Sequence, residues 1–266
     1  MAADTLRPTI YDAGNMRDPQ FYVVALCLAS ALWLLRTPGY RREFLFISML
    51  ATGCAVLLHF KRGAWIALAL SLLTMGAMAR RWRAVALLVL IGLATMLLHP
   101  VRERVAQLSE EFQLRGGGRY GLWTRVAPNL YQQYPMGMGW RSVQHDDLLG
   151  FGAPVQKKLN HLHNNFMQVR LETGWFGVAA WVLWMGSAFV LFFRGWRLAE
   201  RDQLPWRGAA LGLFGAFLAI HLDGLVEYNF GDSEIFMLMN LLMGLGAVGW
   251  VMLNRTPSLS PEIPRE

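Results

Sequence analysis

Charge is scarce in this chain. Only 16% of its 266 residues are Asp, Glu, Lys or Arg, while 55% are hydrophobic, and a soluble domain ordinarily carries about a quarter charged residues to keep its surface in water. An ordinary solvated enzyme is thereby excluded. Cysteine is scarcer still: Cys27 and Cys54 each sit inside an apolar stretch, which argues against a disulfide framework and a thiolate metal site. Acids are outnumbered, 18 against 25 Lys and Arg. The bases cluster between apolar blocks, however, without the interleaved aromatics and polar loops of a nucleic-acid surface, so no nucleic-acid partner is expected. The chain also lacks a Gly-x-Ser-x-Gly elbow, a Ser-x-x-Lys pair and a phosphate loop ending in Gly-Lys-Ser/Thr. Covalent acyl- or glycosyl-enzyme chemistry and nucleotide hydrolysis are therefore unsupported.

What is present is apolar sequence in blocks of helical length, rather than the short alternating segments of a membrane barrel. The expected fold is all-α, a polytopic transmembrane helix bundle with seven spans at 21–35, 44–60, 64–79, 84–98, 174–193, 208–222 and 235–253. Several of these are shorter than the roughly 20 residues that cross a bilayer. Interfacial Trp33, Trp82, Trp206 and Trp250 and arginines at helix ends extend their reach. The first, third and fifth connections carry Arg36, Arg41 and Arg42, then Arg80, Arg81 and Arg83, then Arg194, Arg197, Arg201 and Arg207. Because Lys and Arg concentrate on the cytoplasmic side, alternation places residues 1–20, the long segment 99–173 and the acidic stretch 223–234 outside, which in a bacterium is the periplasm. Four helices (21–98) thus precede one large loop, three (174–253) follow it, and 254–266 form a cytoplasmic tail.

Within the outer loop, residues 101–114 space their apolar side chains as an amphipathic helix does. Gly116, Gly117 and Gly118 end it as a hinge. A second helix runs from Arg119 to about Tyr134 and stops at Pro135, residues 136–140 form a glycine-rich turn, and 146–159 read as irregular.

The segment His161-Leu162-His163-Asn164-Asn165-Phe166 lies where this loop meets an apolar run. An imidazole that exchanges a proton near neutral pH is a candidate general base there; the plainer alternative is a histidine pair that only hydrogen-bonds its neighbours. Lys61-Arg62-Gly63 breaks the charge rule by placing two cations in a tight outer turn, where they bind either lipid phosphate or a phosphate-bearing substrate. Arg62 and Arg119 suit a diphosphate, since guanidinium grips phosphate oxygens in pairs and stays charged; Arg125 and Arg141 lie on the same side. A zinc site from His145, Asp146, Asp147, His161 and His163 has suitable ligand types but no fixing spacing, and a metal-free base is preferred. His59 and His99 read as structural. His221, Asp223 and Glu227, at the outer end of the sixth helix, are either functional acids or carboxylates that orient an active-site arginine. Asn164 and Asn165 cap the following helix or position His163.

These motifs converge on one family. His163-Asn164-Asn165-Phe166-Met167-Gln168, with Glu172, Gly174 and Gly177, resembles the His-Asn-x-x-Leu-Gln, Glu-x-Gly-x-x-Gly pattern of the bacterial O-antigen ligase and O-antigen polymerase family. Arg62-Gly63-Ala64-Trp65 is similar to its Ser-Arg-x-Ala/Gly-x turn, Gly118-Arg119 with Trp123 to its Gly-Arg, Trp segment, and Pro135, Gly137 and Gly139 to its Pro-x-Gly-x-Gly. The resemblance runs from about Arg7 to about Val248. Lys61 and Met167 depart from the family's small residue and leucine, and seven helices fall short of its usual dozen.

The resemblance implies an enzyme of the bacterial inner membrane, with its active site facing the periplasm, that transfers a glycan from undecaprenyl diphosphate to a hydroxyl acceptor. Lipid A-core is the acceptor expected for a ligase; a carrier-linked repeat would make the protein a polymerase, and a protein serine an O-oligosaccharyltransferase. The family's catalytic histidine maps onto His163 and its substrate-binding arginines onto Arg62 and Arg119, with Lys61, Arg125 and His161 as further substrate-binding candidates. The implied mechanism inverts the anomeric centre and uses no metal or other cofactor. A different class, a non-catalytic transporter or lipid-binding protein, would bind anionic membrane lipids through the same cations; charges at helix ends rather than at the midplane disfavour a transporter. Helix count and the outer placement of residues 1–20, which lack a signal-peptide pattern, lead to one further expectation: this chain is the carboxyl-terminal part of a longer protein.

Overall fold

The computed structural model describes residues 18–106, 119–149, 160–199 and 204–255. Among them there is helix and no strand. Seven long helices follow the apolar blocks: α1 (Asp18–Leu34), α2 (Arg42–Leu58), α3 (Arg62–Met78), α4 (Trp82–Thr95), α9 (Asn165–Leu198), α10 (Leu204–Asp223) and α11 (Ser233–Arg255). Among the described residues, four short ones lie between α4 and α9: α5 (His99–Ala106), α6 (Arg119–Gly121), α7 (Ala127–Gln133) and α8 (His145–Leu149). The expected regions 1–17, 107–118, 150–159 and 256–266 lie outside the described residues, and with them most of the amphipathic stretch, the triple glycine and the tail.

Helix α10 is the axis of the bundle and touches α1, α3, α9 and α11. Small residues let it do so. A side chain at Gly212 would meet Leu28 Cα at 3.0 Å, and one at Gly215 would meet Met75 Sδ at 2.0 Å, so glycine permits the close helix approach that packs helices in the absence of a solvent drive. Cys27, Met75, Phe192, Leu211, Phe217 and Ile220 fill the interior. The outer surface is apolar as well: α4 buries none of its residues, and Phe44, Ile47, Leu90, Phe176, Leu183 and Met237 are each more than half exposed. Such a belt suits hydrocarbon and not water. By length and apolarity, residues 165–198 and 233–254 are long enough to cross a membrane, while 19–34, 62–78 and 82–95 are shorter apolar helices.

Two expectations change. Residues 145–149 form a helical turn rather than irregular chain, because Asp146 and Asp147 complement its N-terminus and the Asp147 carboxylate accepts from Gln144 N at 2.7 Å. The expected helix at 174 begins instead at Asn165 and passes through a break at Gly174 (φ 66°, ψ −166°). The break exposes carbonyls that a continuous helix would use. Met138 N donates to Leu171 O and Gly139 N to Glu172 O, both at 2.9 Å, so the Pro135-x-Gly137-x-Gly139 turn docks on the kink through its backbone. Added side chains would not fit, since a Cβ at Gly137 would lie 2.5 Å from Glu172 O, and one at Gly174 would lie 2.9 Å from Met136 O. Both glycines also have positive φ. Gly137→Ala and Gly174→Ala are each expected to lose about 2 kcal/mol or more of stability, read as a lowered Tm of the purified protein; an unchanged Tm in both would contradict this account of the junction.

Candidate active site

A second, smaller core fixes the polar end of the bundle. Leu122, Val126, Ala127 and Leu130 pack with Val143, Leu148, Leu162 and Leu171, so the rod from Arg119 to Gln133 is clamped against the start of α9. Residues Leu122–Val126 of this rod are π-helical. The cause is Pro128, which has no N–H to offer to Thr124 and widens the preceding turn. Trp123 Nε1 donates to Leu162 O at 2.7 Å and Tyr131 O–H to Met167 O at 3.0 Å. Arg119 is thereby held beside the histidine segment.

The two asparagines after His163 do the remaining positioning. Asn164 caps α9 by accepting from Met167 N at 2.9 Å and donates to Leu225 O at 2.7 Å. Buried Asn165 donates from its main chain to Gly224 O, bonds Asn229 Oδ1 at 2.5 Å and accepts from Phe230 N at 3.0 Å. Together they fasten the loop after α10 onto the start of α9 and bring Glu227 to His163. His163 itself has φ 51°, a left-handed conformation that an L side chain adopts at a cost of roughly 1–2 kcal/mol. Its neighbours hold it there: Leu162 N donates to Gln168 Oε1 at 2.8 Å, and His163 N to His161 Nδ1 at 3.2 Å.

The polar groups form a chain. His163 Nδ1 lies 3.0 Å from Glu227 Oε1, and Arg119 donates to Glu227 Oε2 at 2.8 Å. Burial alone would raise the Glu227 carboxyl, but the His163 hydrogen bond and the charges of His163, Arg119 and Lys61 outweigh it and hold it at about 2. An ionised carboxylate only accepts, so His163 Nδ1 carries the proton. Its Nε2 is then left with a lone pair whenever the ring is neutral. His161 stacks edge-on to His163 at 4.2 Å; burial, then the neighbouring His163, push its pKa down to about 4 against the opposing pull of Glu227. Lys61, just ahead of α3, is lowered by burial while Glu227, Asp223 and Asp232 draw it back up. Arg62 is buried at the first position of α3. The next residue must be glycine, because a Cβ at Gly63 would lie 2.5 Å from Asp223 Oδ1.

The expected site residues thus separate. Lys61, Arg119, His161 and His163 gather around Glu227, with Arg62 beside Lys61; Arg125 is exposed on the π-helical turn, outside that cluster. His145, Asp146 and Asp147 lie on α8. Among the described residues, the group within reach of a common metal ion is His161, His163 and Glu227. Two imidazoles and a carboxylate are a zinc-like donor set, yet the same carboxylate already carries the Arg119 guanidinium. His99 pairs with Glu103 at 3.5 Å on the surface, and His59 stacks on Tyr22 at 5.7 Å.

Next to the cluster is a cavity of about 570 Å³ whose wall includes His161, Glu227, Glu172, Tyr228, Asp223 and Asp232. Glu172 is buried, accepts from Gln168 Nε2 at 2.8 Å and faces the Tyr228 hydroxyl at 3.4 Å. Gln20, which also lines it, donates to Asp223. The family motif already contained Gln168 and Glu172, but no sequence signal pointed to Gln20 or Tyr228 as part of this site.

A family profile described as O-antigen ligase matches residues 44–182. The chain belongs to the O-antigen ligase family. The match takes in Lys61, Arg62, Arg119, His161 and His163 and ends ahead of Asp223 and Glu227. Family membership indicates activity of the O-antigen ligase or polymerase type, and with the apolar helices it makes this a membrane protein. No curated protein matches the chain.

Proposed function

We propose that the protein is an O-antigen ligase-type glycosyltransferase that moves a glycan from undecaprenyl diphosphate to an acceptor hydroxyl of lipid A-core at the periplasmic face of the inner membrane. The observation that carries this reading is the chain from Arg119 through Glu227 to His163. With Nδ1 fixed on Glu227, Nε2 of His163 withdraws the proton of the acceptor hydroxyl as that oxygen attacks the anomeric carbon; the carbon–oxygen bond to the diphosphate breaks with its electron pair, and the configuration inverts. Lys61, Arg62 and Arg119 hold the leaving diphosphate and stabilise its growing charge, the kind of electrostatic contribution that dominates many enzymes. The guanidinium on Glu227 and the nearby Lys61 supply positive charge where a metal would otherwise sit, so transfer is expected to survive chelation.

Orientation has its own support. All seven long helices are read as spans, and Arg36, Arg80 and Arg197 fall at the end of the bundle opposite His163, as expected for the cytoplasmic side.

Arg62→Lys and Arg119→Lys are each expected to lower kcat/KM at least about tenfold although charge is kept, because an ammonium cannot reproduce a paired grip on phosphate oxygens. Normal turnover by both variants with lipid-linked glycan would remove the diphosphate clamp from the mechanism. The pH dependence is equally specific. Glu227, held at about 2, contributes its pairing fully above the ordinary carboxylate range and loses it only as pH falls toward 2; His161, at about 4, is neutral above pH 5. Neither group changes charge between pH 5 and 8, so His161→Gln is expected to leave the shape of the pH–rate profile in that window as it is in the wild type. A profile reshaped in that variant would assign the base to His161.

A further inference from the structure

We infer that α11 is a self-association surface, against which a second copy of this chain packs in parallel through asparagines that face the hydrocarbon. The inference is independent of the transfer reading. Its first support is the place of Asn240, which follows Ser233 by two turns in a 23-residue span and so lies about 10 Å inside it at 1.5 Å per residue. The residue is exposed there. Among the described residues its side chain bonds its own helix, Nδ2 donating to Phe236 O at 2.8 Å, and Oδ1 is left to accept from outside the chain. No water reaches that depth, and polar side chains of a span turn toward protein rather than lipid.

The second support is the period of what surrounds it. Met237, Asn240, Gly244, Ala247, Val251 and Asn254 alternate steps of three and four residues, and all six are exposed. That alternation is the seam of helices that wrap left-handed about one another. The adjacent line of Leu241, Leu245, Val248 and Met252 is exposed as well, but it carries bulky apolar side chains alone and suits lipid. Small and polar residues mark the line that a second helix approaches. Gly244 adds an observation of its own. A Cβ at Gly246 would lie 2.3 Å from Phe192 Cε1 and one at Gly249 would lie 2.9 Å from Trp206 Cε3, so packing inside the chain accounts for both; a Cβ at Gly244 would meet nothing within 4 Å. Glycine weakens a helix interior, and here the backbone it admits comes from another molecule.

That molecule is a second copy. All copies cross the membrane in one direction, so two of them are related by an axis along the membrane normal and each seam residue meets its own counterpart. An asparagine carries both donor and acceptor and therefore complements itself. Asn254, whose Nδ2 donates to Trp250 O at 2.8 Å, repeats the arrangement two heptads on, and the pair of asparagines fixes one register.

The test is cysteine cross-linking of the whole chain in the membranes of the cells that make it, where every copy has the same orientation. Exposed Cys54 is first changed to Ala, and buried Cys27 stays. Under copper-phenanthroline oxidation, Gly244→Cys, Ala247→Cys and Val251→Cys are each expected to give a disulfide-linked product of twice the chain mass, because facing Cα atoms on such a seam come within about 7 Å. Leu241→Cys, Leu245→Cys and Met252→Cys should give at least about fivefold less. Adding Asn240→Leu to Ala247→Cys, at an expression level where cross-linking is far from complete, should cut the yield about tenfold with the Tm of the purified chain unchanged. Equal yields on the two lines, no product at any seam position, a product that joins the chain to a different polypeptide, or a full yield with Asn240→Leu would each overturn the inference. Should one variant fail to accumulate, the contrast between the remaining seam and flanking positions decides.

Discussion

His163→Ala is expected to lower glycan transfer by about 100- to 10,000-fold while the protein still inserts and folds, because the loss of a general base removes that much rate. The side chain is half-buried; its ring hydrogen-bonds Glu227 and meets His161 edge-on, and it belongs to neither apolar core, so little core packing goes with it. Alanine tolerates the left-handed backbone at this position somewhat less well than histidine does, so an unchanged Tm is what keeps the comparison one of chemistry. Initial rates with lipid-linked glycan and an unchanged Tm are the paired readouts. His161→Ala should be milder, since His161 meets His163 through its ring and Nδ1 and is itself neutral. Equal rates for wild type and His163→Ala would end the base assignment.

Glu227→Gln should fall almost as far, by roughly 100- to 10,000-fold in kcat. An amide in its place can present one oxygen to His163 or to Arg119 and leaves the other partner facing an N–H₂. With the amide N–H₂ turned to His163, the ring tautomer reverses and Nε2 becomes the protonated nitrogen, unable to accept from a hydroxyl. With it turned to Arg119, the guanidinium loses its carboxylate and its aim. Glu227→Asp, which keeps the charge on a shorter stem, should recover part of the rate. The split between kcat and KM separates positioning from gross structure: kcat falls, while the affinity for donor, to the extent that the proposed clamp gives it to Lys61 and Arg62, changes less. A Glu227→Gln enzyme with wild-type kcat would detach the carboxylate from catalysis.

The legible part of this protein is the part written in local pattern. Apolar blocks located six of the seven long helices to within about four residues at each end, the seventh starting well ahead of 174 at Asn165, and the same contrast of apolar and basic runs flagged Lys61-Arg62-Gly63. The kink escaped for a physical reason. Residues 165–173 mix polar with apolar side chains, and such a stretch ahead of a glycine reads as loop; in fact Gln168 and Glu172 are buried and bonded to each other, and Gln168 holds the turn at Leu162, so the polar face of this helix serves as an internal scaffold. Residues 145–149 are too few to show a period. His163 and Glu227 are 64 positions apart and Gln20 and Asp223 are 203 apart, and no spacing rule reaches that far. Sequence marks Glu227 as an acid at a helix end, a functional acid or a carboxylate that orients an arginine, and it bonds Arg119; its hold on His163 depends on Asn164 and Asn165 reaching across to the loop at 224–230. Sequence showed those two asparagines as a motif; only the fold shows that they bring Glu227 to His163.

The central claim is that this end of the bundle transfers a glycan rather than merely binding an anionic lipid. The most direct measurement reconstitutes the protein in liposomes with a labelled undecaprenyl-diphosphate glycan and lipid A-core, with EDTA present, and follows both the label and the anomeric configuration of the product. The account predicts label on lipid A-core, one undecaprenyl diphosphate released per transfer, and an inverted linkage. Donor that binds and stays intact, or a product with retained configuration, would contradict it.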